Sequence, residues 1–302
     1  MLVTWKYRPR DTLIQRFDPR ARLIYLACVI LGLTLTQIWD LRYIVPVTAI
    51  SLTLYFLARI EWRDVRRAWI FIGLFITFIL GLNAFLSGRG GPMEVLREAS
   101  PVIFYQSPTW TVPVTGWEIT ITLTAARAWF GITQVFRILA MVALAIPIPY
   151  TFDPSIYGVV FRKMGLPDKA SYAVDLAFRF VPTLGRDFGY TLDAQRARGY
   201  ELDRLRGGLF SRLRKLAPLL VPVTMLSITG GEEVIDAMDL RAFGARPRTW
   251  LRSDELRFQT RDYLLMGLGL AIFVGFTAVS LMGYGRFWVP EWWLALGVPA
   301  SG

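Results

Sequence analysis

The sequence predicts an all-α integral membrane protein with about five transmembrane helices and long amphipathic helices on the cytoplasmic side. The first observation behind this fold class is composition, because 54% of the 302 residues are hydrophobic and the mean hydropathy is +0.41, above the usual values of soluble domains. The second is a set of apolar runs, each close to the ~20 residues that a helix needs to cross a bilayer. The third is an alternation of basic with neutral or acidic connections between those runs, which is typical of membrane topology.

The candidate spans are five apolar runs at residues 23–38, 43–60, 68–86, 119–148 and 264–284. Arg127 and Arg137 interrupt the fourth run, and arginines inside a span are costly unless they reach the interface, pair or serve a function. We expect Arg127 to reach the outer interface, whereas a buried pairing and a functional role are both open for Arg137. A further apolar run at 216–231 is short and contains two prolines, which favours a buried or interfacial helix over a crossing.

The charges of the connections orient these spans. Residues 1–22 carry six Lys or Arg against two acidic residues, and the turn between spans two and three carries four Arg. Residues 87–118 carry two Arg against three Glu. Because basic connections stay in the cytoplasm, the N terminus is predicted inside. The C terminus is predicted outside, where the aromatic side chains of FWVPEWW at 287–293 suit the membrane interface.

This orientation divides the chain into three regions. Residues 1–147 are predicted to form a membrane domain with spans one to four, residues 148–262 a cytoplasmic region, and residues 263–302 the last span with an aromatic C terminus on the outer side. The cytoplasmic region carries 18 of the 34 Lys and Arg residues of the chain, in agreement with the positive-inside rule.

The residue inventory excludes several functions. The chain has no histidine and one cysteine, Cys28, so we expect no metal site built on histidine, no His-based catalytic triad and no cofactor. No GxxxxGK[ST] motif is present, so ATP-driven work needs another chain to hydrolyse the ATP. The net charge of +11 comes from basic residues that flank apolar spans, and this placement speaks against nucleic-acid binding.

Two long helices are predicted in the cytoplasmic region. A break with three prolines at 147–155 precedes a short helix at 156–164. Between 169 and 198 an apolar residue recurs every four positions, which predicts an amphipathic helix with a kink at Pro182. The recurring residues are Leu176, Phe180, Leu184, Phe188 and Leu192. A second long helix is predicted from about 209 to 240.

Both long helices end in an arginine beside small residues. The first ends in AQRARG at 194–199 and the second in AMDLRAFG at 237–244. One interpretation is capping, because a cation suits the negative end of the helix dipole and Gly199 and Gly244 suit the left-handed position after a helix. The other is recognition, because a guanidinium offers a planar fork to the carboxylates of a partner. The occurrence of two similar tips on adjacent helices favours recognition.

Four motifs follow one another along the chain. They are FDPRARLIYLA at 17–27, GLP at 165–167 with LAFRFVPTL at 176–184, AQRARG at 194–199 and AMDLRAFG at 237–244. In this order and spacing they resemble the T component of energy-coupling factor transporters, a transmembrane subunit related to the Q subunit of cobalt and nickel permeases. The resemblance covers about residues 17–262.

The resemblance implies a subunit of a prokaryotic cell-membrane importer that is not itself an enzyme. In that family, two ABC-type ATPase subunits each receive one Arg-tipped coupling helix in a surface groove. A small membrane S component binds a vitamin or a transition-metal ion, and ATP-driven motion of the coupling helices reorients it for uptake. The residues that the resemblance assigns to the ATPase contacts are Ala197, Arg198, Gly199, Leu240, Arg241 and Ala242.

The second tip departs from the Ala-Arg-Gly of the first, because it reads Leu-Arg-Ala with Gly244 two residues later. Two other classes of membrane protein are alternatives. A membrane-embedded enzyme would need acidic or nucleophilic groups clustered in the spans, and spans one to three have almost none. A self-sufficient secondary transporter usually has repeated halves and ionisable groups at the midplane, and neither is visible in the sequence.

Overall fold

The computed structural model describes residues 7–85, 102–106, 110–111, 118–119, 122–199, 209–245, 250, 256–285, 287–296 and 298–299. The helices of the described residues are α1 (Leu13–Arg16), α2 (Pro19–Leu35), α3 (Leu41–Leu57), α4 (Trp62–Phe85), α5 (Ala125–Ala145), α6 (Ile148–Thr151), α7 (Tyr157–Lys163), α8 (Asp168–Ala197), α9 (Leu209–Leu240), α10 (Thr260–Leu281) and α11 (Glu291–Leu294), with a 3-10 turn at Pro154–Ile156. The two long helices predicted at 169–198 and 209–240 are thus confirmed as α8 and α9.

The all-α prediction holds for every long element of the described residues, and the departures from it are short strands. The strands are β1 (Val102–Gln106), β2 (Trp110–Thr111), β3 (Glu118–Ile119), β4 (Thr122–Thr124) and β5 (Val298–Pro299). β1 pairs antiparallel with both β4 and β5, and β2 pairs antiparallel with β3. Most of the predicted outer connection at 87–118 lies outside the described residues.

The predicted start of the fourth span at residue 119 is wrong. Residues 119–124 read ITITLT, and a run of β-branched residues and threonines favours extended backbone over helix. The helix begins only at Ala125, where the side chain of Thr124 caps it by accepting a hydrogen bond from the Arg127 backbone N–H at 3.3 Å. Hydropathy alone therefore does not distinguish this segment from the first turns of a span.

Two stretches of the described residues are long and apolar enough to cross a membrane, Ala125–Thr151 and Thr260–Leu281. They correspond to the fourth and the last predicted span. The first two predicted spans form α2 and α3, which have 17 residues each and therefore extend about 26 Å. The third forms α4, whose first turns carry the charged residues Arg63, Asp64, Arg66 and Arg67. The count of about five spans thus stays a prediction.

The chain forms two compact units. We call residues Arg8–Phe152 and Phe258–Gly302 the bundle unit, and Asp153–Arg257 together with Met1–Tyr7 the inserted unit. The predicted division into regions at residues 148 and 263 is a statement about membrane sides, and it stays a prediction.

The core of the bundle unit lies where α2 packs along α10. Tyr25 is buried there together with Leu265 and Phe276. Gly269 allows the two helices to approach closely, because a Cβ at this position would lie 3.0 Å from the ring of Tyr25. A larger residue at 269 would force the helices apart.

Arg137 of α5 is part of the buried interior of the bundle unit. Its side chain is 6% exposed, and its Nη2 donates a hydrogen bond to the carbonyl oxygen of Leu33. Its guanidinium carbon lies 4.3 Å from the ring centroid of Trp39. Of the two interpretations left open for this arginine, the structure supports the buried pairing, since a carbonyl dipole and an aromatic face both stabilise a desolvated cation.

In the inserted unit, α7 packs directly on α8. A Cβ at Gly158 would lie 2.6 Å from the Cβ of Asp175 and 2.8 Å from the carbonyl oxygen of Ser171, so this contact requires glycine. Beside it, the ring of Tyr157 stacks on that of Phe178 with a centroid separation of 4.4 Å and an interplanar angle of 8°. α7 therefore holds the N-terminal half of α8 in place.

Candidate partner-binding tips

The first tip, formed by Ala197, Arg198 and Gly199, is a regular helix end. Arg198 is the C-cap residue of α8, and its backbone N–H donates to the carbonyl oxygens of Ala194 and Gln195. Gly199 follows in the left-handed conformation with φ +82°, and its N–H donates to the carbonyl of Arg196 at 2.9 Å. The prediction that Gly199 takes the left-handed position is confirmed.

The second tip, formed by Leu240, Arg241 and Ala242, ends α9 in the same way. The Ala242 N–H donates to the carbonyl of Asp239 at 2.9 Å, and the Phe243 N–H donates to the carbonyl of Met238 at 3.0 Å. This pair of hydrogen bonds is a Schellman motif, in which the left-handed residue is Ala242 with φ +52°. Arg241 therefore occupies the position after the last helical residue, as Arg198 does in the first tip.

The prediction that Gly244 caps the second helix is wrong. Gly244 is left-handed, with φ +89°, but it lies two residues beyond the position that closes α9. The left-handed residue that closes α9 is Ala242, and the ring of Phe243 directly after it lies 4.6 Å from that of Tyr172 in α8. Apolar contacts of the residue after the left-handed position commonly accompany a Schellman motif. Sequence reasoning missed this contact, since the two residues are 71 positions apart.

All six predicted contact residues are exposed. Leu240 is the most exposed of the large apolar side chains that the structure describes, at 89%. The Arg198 side chain makes no hydrogen bond or ion pair with the residues that the structure describes, whereas the nearby Arg196 pairs with Asp193 at 3.5 Å. The first tip thus presents an arginine that is available to a partner.

The two tips lie at opposite ends of the α8–α9 pair. The hydroxyl of Tyr172, near the start of α8, lies 3.4 Å from the sulfur of Met238, near the end of α9. The end of α9, and with it the second tip, therefore lies close to the beginning of α8. Arg198 lies 26 residues after Tyr172, which corresponds to about 39 Å along a helix. The structure thus brings the residues of each tip together and keeps the two tips apart.

Exchanging the left-handed residues is expected to change the stability of the two tips in opposite directions. An L-residue is disfavoured in this conformation by roughly 1 kcal/mol relative to glycine, which corresponds to about fivefold in an opening equilibrium. Ala242→Gly should therefore slow the hydrogen exchange of the Phe243 amide by about that factor, and Gly199→Ala should speed exchange at the Arg198 and Gly199 amides. Equal exchange in all variants would show that neither conformation limits the opening of the tips.

Comparison with known proteins places these features in a family. The family model described as "CbiQ: Cobalt transport protein" matches residues 10–250. The energy-coupling factor transporter transmembrane protein EcfT of Thermotoga maritima is 27% identical over 285 residues, which cover 90% of this chain and 92% of the relative. The EcfT protein of Staphylococcus aureus is 26% identical over 277 residues, which cover 90% and 94% of the two chains.

A shorter match is more similar. The EcfT protein of Exiguobacterium sibiricum is 36% identical over 104 residues, although these cover only 33% of this chain and 38% of the relative. The match of the family model extends over more than half of the chain and includes α8, α9 and both tips. The chain therefore belongs to the CbiQ family of cobalt transport proteins, and it is a T component, the transmembrane protein of an energy-coupling factor transporter.

Proposed function

We propose that this T component couples two ABC-type ATPase subunits to a membrane-embedded S component that binds a vitamin or a transition-metal ion. The observation that carries the proposal is the pair of exposed, arginine-bearing helix ends with the same backbone geometry at opposite ends of one helix pair. A separation of about 39 Å along α8 is too large for one groove. Each tip therefore serves its own ATPase subunit.

The chemistry of each tip suits a groove lined by carboxylates. A guanidinium forms bidentate, charge-assisted hydrogen bonds with Asp or Glu. The exposed Leu240 adds apolar surface beside Arg241, and a buried cation next to apolar area is a common arrangement of interface hot spots. The first tip has small neighbours on both sides of Arg198, so a groove can approach its backbone more closely.

The shape of α8 and α9 suits the transmission of movement. α8 has 30 residues and α9 has 32, so each is roughly 45 Å or more in length. α9 also exposes a set of large apolar side chains between its ends. They are Leu220, Val221, Met225, Leu226 and Ile228. This surface suits contact with lipid or with a membrane-embedded partner such as the S component.

Co-purification tests the proposal. When the chain is expressed with the two ATPase subunits and the S component of its own transporter, all four proteins are expected in one complex that hydrolyses ATP. The chain purified alone is expected to hydrolyse no ATP, because its sequence has no P-loop motif. Hydrolysis that follows the isolated chain through every purification step, or a complex that forms without ATPase subunits, would contradict the proposed role.

The orientation of the chain in the membrane is a second part of the proposal. In a Cys28→Ser background, Ala295→Cys is expected to react with a membrane-impermeant thiol reagent in intact cells, because the basic connections place the C terminus outside. Ala194→Cys near the first tip is expected to react only after the cells are opened, although both positions are exposed in the structure. Labelling of position 194 in intact cells would reverse the orientation.

A further inference from the structure

The chain leaves the bundle unit after Phe152 and returns to it at Phe258, and an arginine of α2 lies over each of these rings. The guanidinium carbon of Arg20 lies 3.8 Å from the ring centroid of Phe258. That of Arg22, two residues further along the same helix, lies 5.3 Å from the ring centroid of Phe152. The two crossing points of the chain are therefore both attached to the first turns of one helix by cation–π contacts.

Arg20 is also held in place by an ion pair with Asp18. Its Nε and Nη2 donate to the two carboxylate oxygens of Asp18 at 3.0 and 2.7 Å, and both side chains are almost fully buried. Asp18 is also the N-cap of α2, since its side chain accepts a hydrogen bond from the Arg20 backbone N–H at 2.9 Å. A bidentate pair of this kind holds the guanidinium in one position.

Asp262 links this arrangement to α10. One of its carboxylate oxygens accepts from the Asp18 backbone N–H and the other from the Gln259 backbone N–H, each at 2.8 Å. Asp262 is 1% exposed, so it joins the starts of α2 and α10 inside the bundle unit. Phe258 directly precedes this link.

The Arg22 contact is fixed by the residue next to Phe152. The Nη1 of Arg22 donates to the hydroxyl of Thr151 at 2.9 Å. Thr151 ends α6, and the Phe152 N–H donates to the carbonyl oxygen of Ile148. Phe152 itself is 1% exposed. This crossing point is therefore also attached to α2, although the ring lies farther from its arginine than in the other contact.

We infer that Arg20 and Arg22 are positioning residues that transfer the movement of the segment 153–257 to α2 and α10, by holding Phe258 and Phe152 at its two ends. This inference rests on the proposed coupling function. A displacement that enters through a loose connection is absorbed by backbone rotation, whereas one that enters through two rings fixed to a helix moves that helix. α2 and α10 pack closely through Gly269, so they move together.

The experiment uses the complete complex of T component, both ATPases and S component in lipid nanodiscs. In a Cys28→Ser background with cysteine-free ATPases, spin labels are placed at Phe78 of α4 and Leu281 of α10, which are 62% and 83% exposed. ATP is expected to change the distance between the labels in the otherwise unaltered complex. ATP hydrolysis is measured on the same samples.

Phe258→Leu removes the aromatic face and keeps an apolar side chain. A cation–π contact contributes about 1–2 kcal/mol when it is desolvated, so the ratio of ATP-shifted to unshifted molecules is expected to fall about five- to thirtyfold. Phe152→Leu should act in the same direction. Assembly and ATP hydrolysis are expected to stay unchanged, since neither ring lies at a tip.

Two controls separate this role from general stability. Phe258→Tyr keeps the aromatic face and should retain the ATP-driven distance change. Phe130→Leu removes a buried ring of α5 that belongs to a different cluster of the bundle unit, and it should also retain the change. A variant that merely loosens packing would reduce assembly, hydrolysis and the distance change together.

Three results would overturn the inference: an unaltered complex whose label distance does not respond to ATP, a Phe258→Leu complex that keeps the full response, or a parallel loss of response and hydrolysis in that variant. Failure of the proposed function has a different signature. In that case the unaltered chain would not retain the ATPase subunits at all.

Discussion

Replacing Arg198 and Arg241 together by alanine is expected to abolish co-purification of the ATPase subunits, while the chain still inserts into the membrane at its normal level. Truncation of one member of a buried, hydrogen-bonded charge pair weakens binding by about 2–5 kcal/mol. At ~1.4 kcal/mol per decade, this is roughly thirtyfold to several thousandfold for each arginine. Because the tips lie at opposite ends of the helix pair, each single variant should weaken one ATPase contact and spare the other.

One conservative variant and one control variant test whether the loss of binding comes from the guanidinium group. Arg198→Lys should restore binding only in part, because an ammonium group lacks the planar fork of the guanidinium. Arg196→Ala removes an exposed arginine two residues away that is already paired with Asp193, and it should leave binding unchanged. Both are to be compared by the yield of ATPase subunits in a pull-down from membranes that contain equal amounts of each variant.

Capping predicts a different outcome for the same variants. An exposed cation at a helix C terminus contributes only about 0.3–1 kcal/mol to its own helix. The caps themselves are made by hydrogen bonds that the backbone N–H groups of Gly199, Ala242 and Phe243 donate to carbonyl oxygens of their own helices. These hydrogen bonds do not need the arginine side chains. A double variant that retains its ATPase subunits in full would therefore leave a favourable interaction with the helix dipole as the role of both arginines.

The helices of the inserted unit could be predicted closely because local signals agreed there. The four-residue apolar repeat predicted α8. Of the break predicted at 147–155, residues 148–151 form α6 instead, and the 3-10 turn begins at Pro154. The predicted end of α9 at residue 240 is confirmed, but the left-handed residue that closes it could not be predicted from glycine alone. The residue after it, Phe243, contacts Tyr172, and a tertiary contact can place an alanine where local preference asks for glycine.

Two other features depended on information that periodicity does not contain. The apolar run at 119–124 has the hydropathy of a span, and only its β-branched composition distinguishes it from helix.

The sequence also identified the FDPR segment by resemblance without a physical reason for it. The structure supplies that reason: Asp18 caps α2, Pro19 takes the first helical position, and Arg20 pairs with Asp18. Asp262, whose carboxylate accepts a hydrogen bond from the backbone N–H of Asp18, is 244 residues away in the sequence.

Asp262→Ala is expected to destabilise the bundle unit strongly. The change leaves the buried backbone N–H of Asp18 and the partly buried N–H of Gln259 without their acceptor, and an unpaired buried donor costs about 1–3 kcal/mol, or more where the acceptor was charged. The loss at Asp18 is therefore about 1–3 kcal/mol, and the N–H of Gln259 adds less because water can replace its acceptor. The midpoint of thermal unfolding, followed by tryptophan fluorescence in detergent, should fall accordingly.

Two comparisons test whether this loss comes from the link between α2 and α10. Asp262→Asn keeps one acceptor oxygen and turns a donor toward the other N–H, so its midpoint should lie between those of Asp262→Ala and the unaltered chain. Asp239→Ala removes an exposed carboxylate and should leave the midpoint unchanged. If Asp262→Ala unfolds at the same temperature as Asp239→Ala, water or backbone relaxation satisfies both N–H groups. The start of α2 would then be held by the Asp18–Arg20 pair and the Phe258 ring rather than by Asp262.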